Sequence, residues 1–332
     1  MDLDRLDWIA LGQEEAIDPS IRIVDPHHHL WHRGGSRYLA EELYGDLTST
    51  HNVTDTVFVE CMANYDRDKP KEFQPVGETT FVVEESARLE KFHGPKLSGI
   101  VGFADLTLGE RVGEVLVAHE EASSGLFRGI RHATAWSEDP EISISHTKPT
   151  PELMREKSFL EGLTTLGQHG YTFDAWLYFD QLNELVDISR SCPEIPIILN
   201  HLGAPLAIGR WGSKSNEVEE VWKNQLTKLS KSKNVFLKIG GIGMDNYFDT
   251  GWSALKAPPS SEQVADFWKE KITWAIETFS PDQCMFESNF PVDRQTLPYS
   301  VLWNTFQRIT EQYGANEKHA LFSGTACAVY KI

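Results

Sequence analysis

The chain of 332 residues, 40% of them hydrophobic, is long enough to bury a sizeable core as two ordinary domains or as one large α/β barrel. A formal net charge of -18 argues against a broad cationic surface, which speaks against nucleic acid or anionic lipid as a partner. The four cysteines, Cys61, Cys192, Cys284 and Cys327, form no CxxC pair, and no apolar run approaches the roughly 20 residues that span a bilayer, so the expectation is a cytoplasmic protein with reduced thiols and no membrane partner.

The first twenty residues are acidic where a secretion signal would be basic, and they read as an extension packed on the main domain. From residue 21 onward, runs rich in Val, Ile, Phe and Leu alternate with longer amphipathic stretches. Strands are expected at 21–29, 54–62, 97–106, 126–136, 171–178, 195–203, 234–241 and 282–291. Helices are expected at 80–92, 109–122, 151–168, 181–192, 216–231 and 261–279, several opening after Thr, Asp, Asn or Ser as capping requires. Eight strands alternating with helices predict an α/β fold, a distorted (β/α)8 TIM barrel filling 21–332 as a single domain. A doubly wound open sheet would need a Gly-rich phosphate turn after its first strand, and "DPHHHLW" stands there instead. The stretches 208–220 and 244–261 read as long loops after strands six and seven, on the face where a barrel builds its active site.

Strand one ends in "VDPHHH". Alternation along an extended strand places Asp25, His27 and His29 on one face and Pro26 and His28 on the other, so His27 and His29 converge on the barrel mouth, where they could bind a divalent cation or orient a carbonyl. The other strand ends carry matching chemistry. Strand six supplies His201 in "LNHLG", and strand four supplies Arg131 and His132 in "GIRHATAW". Strands two and five offer Glu60 and Asp174. Strand eight supplies Glu287, Asn289 and, past the turn, Asp293 in "FESNFPVD". So many polar groups at the ends of apolar strands must be paired or functional. Trp31, Trp136, Trp176, Tyr178 and Phe290 lie near the same ends and would suit a ring in the substrate.

The combination of D-x-H-x-H, "NHLG", "SNFPVD" and the closing "SGTACAVY" resembles the amidohydrolase-related branch of the amidohydrolase superfamily, which holds 2-pyrone-4,6-dicarboxylate lactonase, fuconolactonase-like enzymes and related decarboxylases. The resemblance implies a hydrolase that opens a lactone or related cyclic ester. By that resemblance His27, His29 and His201 match the metal-binding or oxyanion histidines, and zinc or manganese would be the ion, although some members of the branch use none. Arg131, with His132 as its neighbour in either register, matches the arginine that holds a carboxylate or carbonyl of a small-molecule substrate, and Trp31, Tyr178 and Asn289 would complete the pocket. The chain departs from the pattern at Asn289, where the branch usually has an aspartate that removes a proton from water. An amide cannot do this, so either Asp293 or Glu287 has taken over the role or the chemistry has changed. Decarboxylation of an aromatic acid by a bound metal, and a ligand-binding barrel without turnover, are the alternatives. The sequence leaves homo-oligomerisation open.

Overall fold

The computed structural model describes residues 5–332. Eight strands form one sheet in chain order, each parallel to its neighbour: β1 (Arg22–His28), β2 (Asn52–Val59), β3 (Lys96–Gly102), β4 (Phe127–Arg131), β5 (Thr172–Ala175), β6 (Ile197–Leu199), β7 (Val235–Ile239) and β8 (Cys284–Phe286). Parallel neighbours require a crossover, and a helix follows each strand: α1 (Ala40–Leu47), α2 (Val76–Glu90), α3 (Val112–Ala122), α4 (Lys157–Gln168), α5 (Leu182–Ser191), α6 (Ser215–Leu229), α7 (Ser261–Phe279) and α8 (Tyr299–Ile309). The expected (β/α)8 barrel is the fold.

Local sequence explains these helices. In α7, Ser260 Oγ accepts from the Gln263 N–H while the Gln263 side chain accepts from the Ser260 N–H, so the first turn is capped from both sides. Its buried residues Val264, Trp268, Ile272, Ala275 and Phe279 recur every three or four positions and face the barrel. The final helix, α9 (Thr325–Tyr330), closes the barrel floor: its Tyr330 packs into the interior cluster with Val24, Val57, Ile198 and Met285.

The sheet closes only past the end of β8. The Asn289 N–H donates to the His27 carbonyl at 2.8 Å and the His29 N–H to the Phe290 carbonyl at 2.8 Å. The seam therefore lies at the C-terminal mouth, beside the histidines of β1.

Two regions differ from expectation. Residues 31–38 form a small antiparallel hairpin, Trp31–Arg33 with Ser36–Tyr38, whose three-residue strands are too short to show a period. Helix α6 begins at Ser215, one residue before the expected helix at 216–231, so the overlapping loop expected at 208–220 ends at 214; "NEVEEVWKNQL" carries the apolar spacing of its buried Val218, Trp222 and Leu226. Residues 5–20 run along the outside of α7 and α8, held by bonds such as Ser261 N–H to Glu14 Oε1 at 2.8 Å and Ile17 N–H to Asn304 Oδ1 at 3.0 Å. Among the described residues no helix is long and apolar enough to cross a membrane.

Candidate active site

Strand β1 does not alternate uniformly. Its register against β2 shifts between Asp25 and His28, around Pro26, which has no N–H to give to a ladder. Val24 faces the interior, and Asp25 turns outward to accept from Tyr299 Oη of α8 at 3.0 Å and from the Ser288 N–H. Burial raises its carboxyl to about 6 against those bonds. The irregularity then returns His27 to the interior. Asp25 thus leaves the face it was expected to share with His27 and His29. His28 stays on the outer side, its Nε2 3.0 Å from Thr56 Oγ1, where burial lowers its pKa to about 3.

Inside the mouth, Glu287 joins two histidines. Its Oε1 accepts from His201 Nδ1 at 2.7 Å and from the His201 N–H at 3.0 Å, and its Oε2 lies 2.6 Å from His27 Nδ1. The contact to His27 lacks hydrogen-bond geometry, so Oε2 is a fully buried carboxylate oxygen without a hydrogen-bond partner among the described residues. His27, His201 and Glu287 can each bring one ligand atom within 4.8 Å of the others. An orphaned carboxylate oxygen between two imidazoles is a donor set that suits a divalent cation. The set contains Glu287 in the place where sequence reasoning has His29.

His29 lies at the rim, with its ring 5.0 Å from that of His27, and its Nδ1 donates to the Val59 carbonyl at 2.7 Å. A carbonyl only accepts, so the proton of His29 sits on Nδ1 and Nε2 is bare in the neutral ring. Burial holds both His27 and His29 well below the ordinary histidine pKa, helped for His27 by Lys238 and for His29 by Arg131.

Arg131 is engaged with the barrel. Its Nε donates to Glu60 Oε1 at 2.8 Å, a second guanidinium nitrogen donates to the Glu60 carbonyl, and NH1 lies 3.4 Å from His27 Nε2. His146, from the loop after β4, meets the other Glu60 oxygen at 2.9 Å. Burial alone would raise the Glu60 carboxyl, but the charges and hydrogen bonds of His146 and Arg131 outweigh it and hold the pKa at about 2. The fork that could grip a substrate carboxylate is spent on Glu60. His132 points the other way: its Nδ1 accepts from the Leu106 N–H at 3.2 Å and its ring packs on Phe103 and Phe159. Tyr178 Oη donates to the Ser143 carbonyl and anchors the same loop.

Asn289 closes the constellation. Its Nδ2 donates to Asp293 Oδ1 at 2.7 Å, and Asp293 Oδ2 accepts from the Gly243 N–H at 2.8 Å. Burial raises the Asp293 carboxyl well above its usual range in spite of those bonds, which favours its protonated form. Asp293 thus ties the loop after β8 to the loop after β7, and Asn289 presents itself to the mouth above it. His201 and Asn289 both hold left-handed backbone, φ 53° and 55°, a conformation that non-glycine residues adopt mainly where surrounding structure enforces it.

These groups line a cavity of about 340 Å³ at the mouth, whose walls include His29, Trp31, Arg131, His146, His201 and Asn289. Glu287 and His27 sit beneath that surface, and Asp293, His132 and Tyr178 are not among its lining residues. Lys238 and His146 are not legible in the sequence as site residues. The signal for Lys238 is a lysine inside the apolar run "VFLKIGG"; it is fully buried, 2.7 Å from Asp174 Oδ2 and 3.5 Å from His27 Nδ1. His146 sits in a long loop with no pattern to mark it.

The chain is similar over almost its whole length to curated proteins and solved structures. An uncharacterized Sinorhizobium fredii protein, y4mH, is 30% identical over 94% of this chain and 99% of its own length. The L-fucono-1,5-lactonase of Burkholderia multivorans is 22% identical over 93% of this chain and 96% of its own. The crystal structure of an amidohydrolase from Burkholderia multivorans with bound zinc superposes with a TM-score of 0.72 at 20% identity, covering 93% of this chain and 99% of that one. The family model described as Amidohydrolase matches residues 24–332, and with that match spanning the barrel from β1 to the closing helix, the chain belongs to the amidohydrolase family.

Proposed function

We propose that this enzyme hydrolyses a lactone or related cyclic ester of a small, ring-containing acid, in the cytoplasm. The observation that carries the reading is the Glu287 carboxylate seated behind His201 on the wall of a ring-sized cavity. A carboxylate only accepts, so it keeps the His201 proton on Nδ1 and leaves Nε2 to take a proton from water. The lactonase among the relatives supports the same chemistry.

The steps follow from the side chains. Asn289 has spent its NH2 on Asp293, so its carbonyl oxygen is the group left to accept a hydrogen bond from the attacking water. The proton passes from water to the His201–Glu287 pair as the water oxygen bonds to the lactone carbonyl carbon. The negative charge that develops on the carbonyl oxygen is met by Arg131 NH1, held in place by the two bonds to Glu60. The ring C–O bond then breaks, and the alkoxide takes the proton back from the pair. With a divalent ion, zinc or manganese, held by His27, His201 and Glu287, His201 Nε2 would be a ligand instead of the base, and the ion would supply Lewis acidity to the carbonyl or to water.

The test is proton release from a panel containing L-fucono-1,5-lactone and 2-pyrone-4,6-dicarboxylate, run beside carbon dioxide detection with aromatic carboxylic acids. Turnover of a lactone, reduced about a hundredfold or more in His201→Ala, is the expected result. Carbon dioxide release without lactone opening would replace this reading with decarboxylation.

A further inference from the structure

A second cavity of about 370 Å³ adjoins the first, and the two share Met62 and His146 as walls. It is built by the loops after β2, β3 and β4, so it opens on the active-site face. Each volume is of the size that takes one ring-sized unit, so a single lactone ring uses only half of the available space.

The dividing wall is constructed. His146 is pinned by Glu60 and stacks near Trp176, with ring centroids 6.4 Å apart. Met62 holds left-handed backbone at φ 60°, and the N–H groups on both sides of it, those of Cys61 and Ala63, donate to the buried Glu78 Oε1 at 3.0 and 2.7 Å. A thioether chain is the adaptable part of such a wall.

Charge identifies what the second cavity takes. Its two carboxylates are engaged: Glu72 pairs with Arg111 at 3.2 Å, and Asp105 Oδ1 accepts from both the N–H and the hydroxyl of Thr107. Its two cations are not matched in the same way. Arg67 bonds only the neutral Gln74 and lies over the Tyr65 ring, and Lys71 has no ion-pair partner among the described residues. In the first cavity, by contrast, the Arg131 fork is consumed by Glu60.

We propose that the substrate is bipartite: its lactone ring lies in the first cavity, and an anionic second unit passes between Met62 and His146 to meet Arg67 and Lys71. The proposal rests on the lactonase reading for the ring and on the second cavity alone for the anion. Carboxylate and phosphate share the required chemistry.

Three probes test the second subsite, with a carboxylate as the anion: D-glucono-1,5-lactone, cellobiono-1,5-lactone, and the same disaccharide lactone oxidised to a carboxylate at C6 of the second ring. The expected order of kcat/KM places the carboxylate disaccharide highest, with its advantage over the neutral disaccharide falling about tenfold or more in Arg67→Gln/Lys71→Gln. The ring-opened acids of the two disaccharides are titrated calorimetrically against both proteins, so binding is read even if nothing turns over. Loss of the charge preference in the double variant supports the proposal. Equal preference in wild type and variant, by rate and by binding, overturns it. Charge-selective binding without lactone opening keeps the second subsite and rejects the reaction.

Discussion

Glu287 is the residue on which the site histidines depend, since one carboxylate faces His27 through one oxygen and both the ring and the backbone of His201 through the other. Its removal therefore has two separable consequences. Purified without chelator, the wild-type chain is expected to carry about one divalent ion, and Glu287→Gln, which keeps the shape and removes the charge, is expected to carry far less. Elemental analysis of the two proteins decides it; equal metal content would take Glu287 out of the donor set. The histidines divide along the same lines. His27→Ala and His201→Ala are expected to abolish most turnover, whereas His28→Ala removes a buried bond to Thr56 on the outer face and is expected to lower the melting temperature more than the rate. Equal losses of activity per folded molecule in all three would refute the inward and outward placement. Residue identity alone pointed to this chemistry, because D-P-H-H-H and F-E-S-N at the ends of the first and last barrel strands are costly unless used. What it could not supply was the pairing. Whether Arg131 meets substrate or Glu60 depends on distances across the barrel that no local pattern encodes.

At the scale of elements, β7 has no room for side chains just past its end. A Cβ at Gly240 would lie 2.2 Å from Glu287 Cγ and 2.6 Å from its carbonyl oxygen, and one at Gly241, where φ is +68°, would lie 2.9 Å from His201 Cβ. Gly240→Ala is therefore expected to displace Glu287, costing about 1–3 kcal/mol of stability by overpacking and the metal with it. A wild-type urea midpoint and metal content in that variant would show the cradle to be unnecessary. The loop after β2 carries a different dependence. Burial, reinforced by the charge of Glu60, raises the Glu78 carboxyl from 4.5 to about 8, so the native state retains a proton that the unfolded chain releases. Its contribution is complete below 4.5 and is lost as pH climbs to about 8. The melting temperature of wild type relative to Glu78→Gln is expected to fall across that window, and a constant difference would refute the assignment. The elements themselves were largely legible: all eight strands and six helices follow from hydrophobic period and capping, as in α7, where "SSEQVADFW" contains both. The Trp31–Tyr38 hairpin, α1 and α8 were not, the first two because each is shorter than the window in which a period declares itself, and α8 because it buries Ser300, Asn304, Thr305 and Gln307 beside its apolar residues. Nor was the turn of Asp25, since the alternation expected of an extended strand runs straight through Pro26, where the register against β2 shifts.

Across the whole molecule, the floor of the barrel is wired to its mouth. Tyr330 of α9 rises into the interior and its hydroxyl reaches both oxygens of Asp174 at 2.9 Å. Asp174 in turn accepts from Lys238 Nζ at 2.7 Å and from Asn200 Nδ2 at 3.0 Å, and Lys238 lies 3.5 Å from His27 Nδ1. A buried ion pair holds its geometry only when its remaining polar atoms are satisfied. The closing helix therefore does more than plug the barrel, because its tyrosine completes the partners of the carboxylate that fixes Lys238 beneath the site. Tyr330→Phe keeps the ring that packs on the interior cluster and deletes only the hydroxyl, leaving Asp174 Oδ1 without that donor. The expected loss is about 1–3 kcal/mol of unfolding free energy, with a smaller change in kcat than in His201→Ala, because the ammonium keeps its bond to Oδ2. Urea denaturation followed by intrinsic fluorescence measures the first and the lactone assay the second. If Tyr330→Phe unfolds at the wild-type midpoint, the hydroxyl is idle and the connection from floor to mouth stops at Asp174.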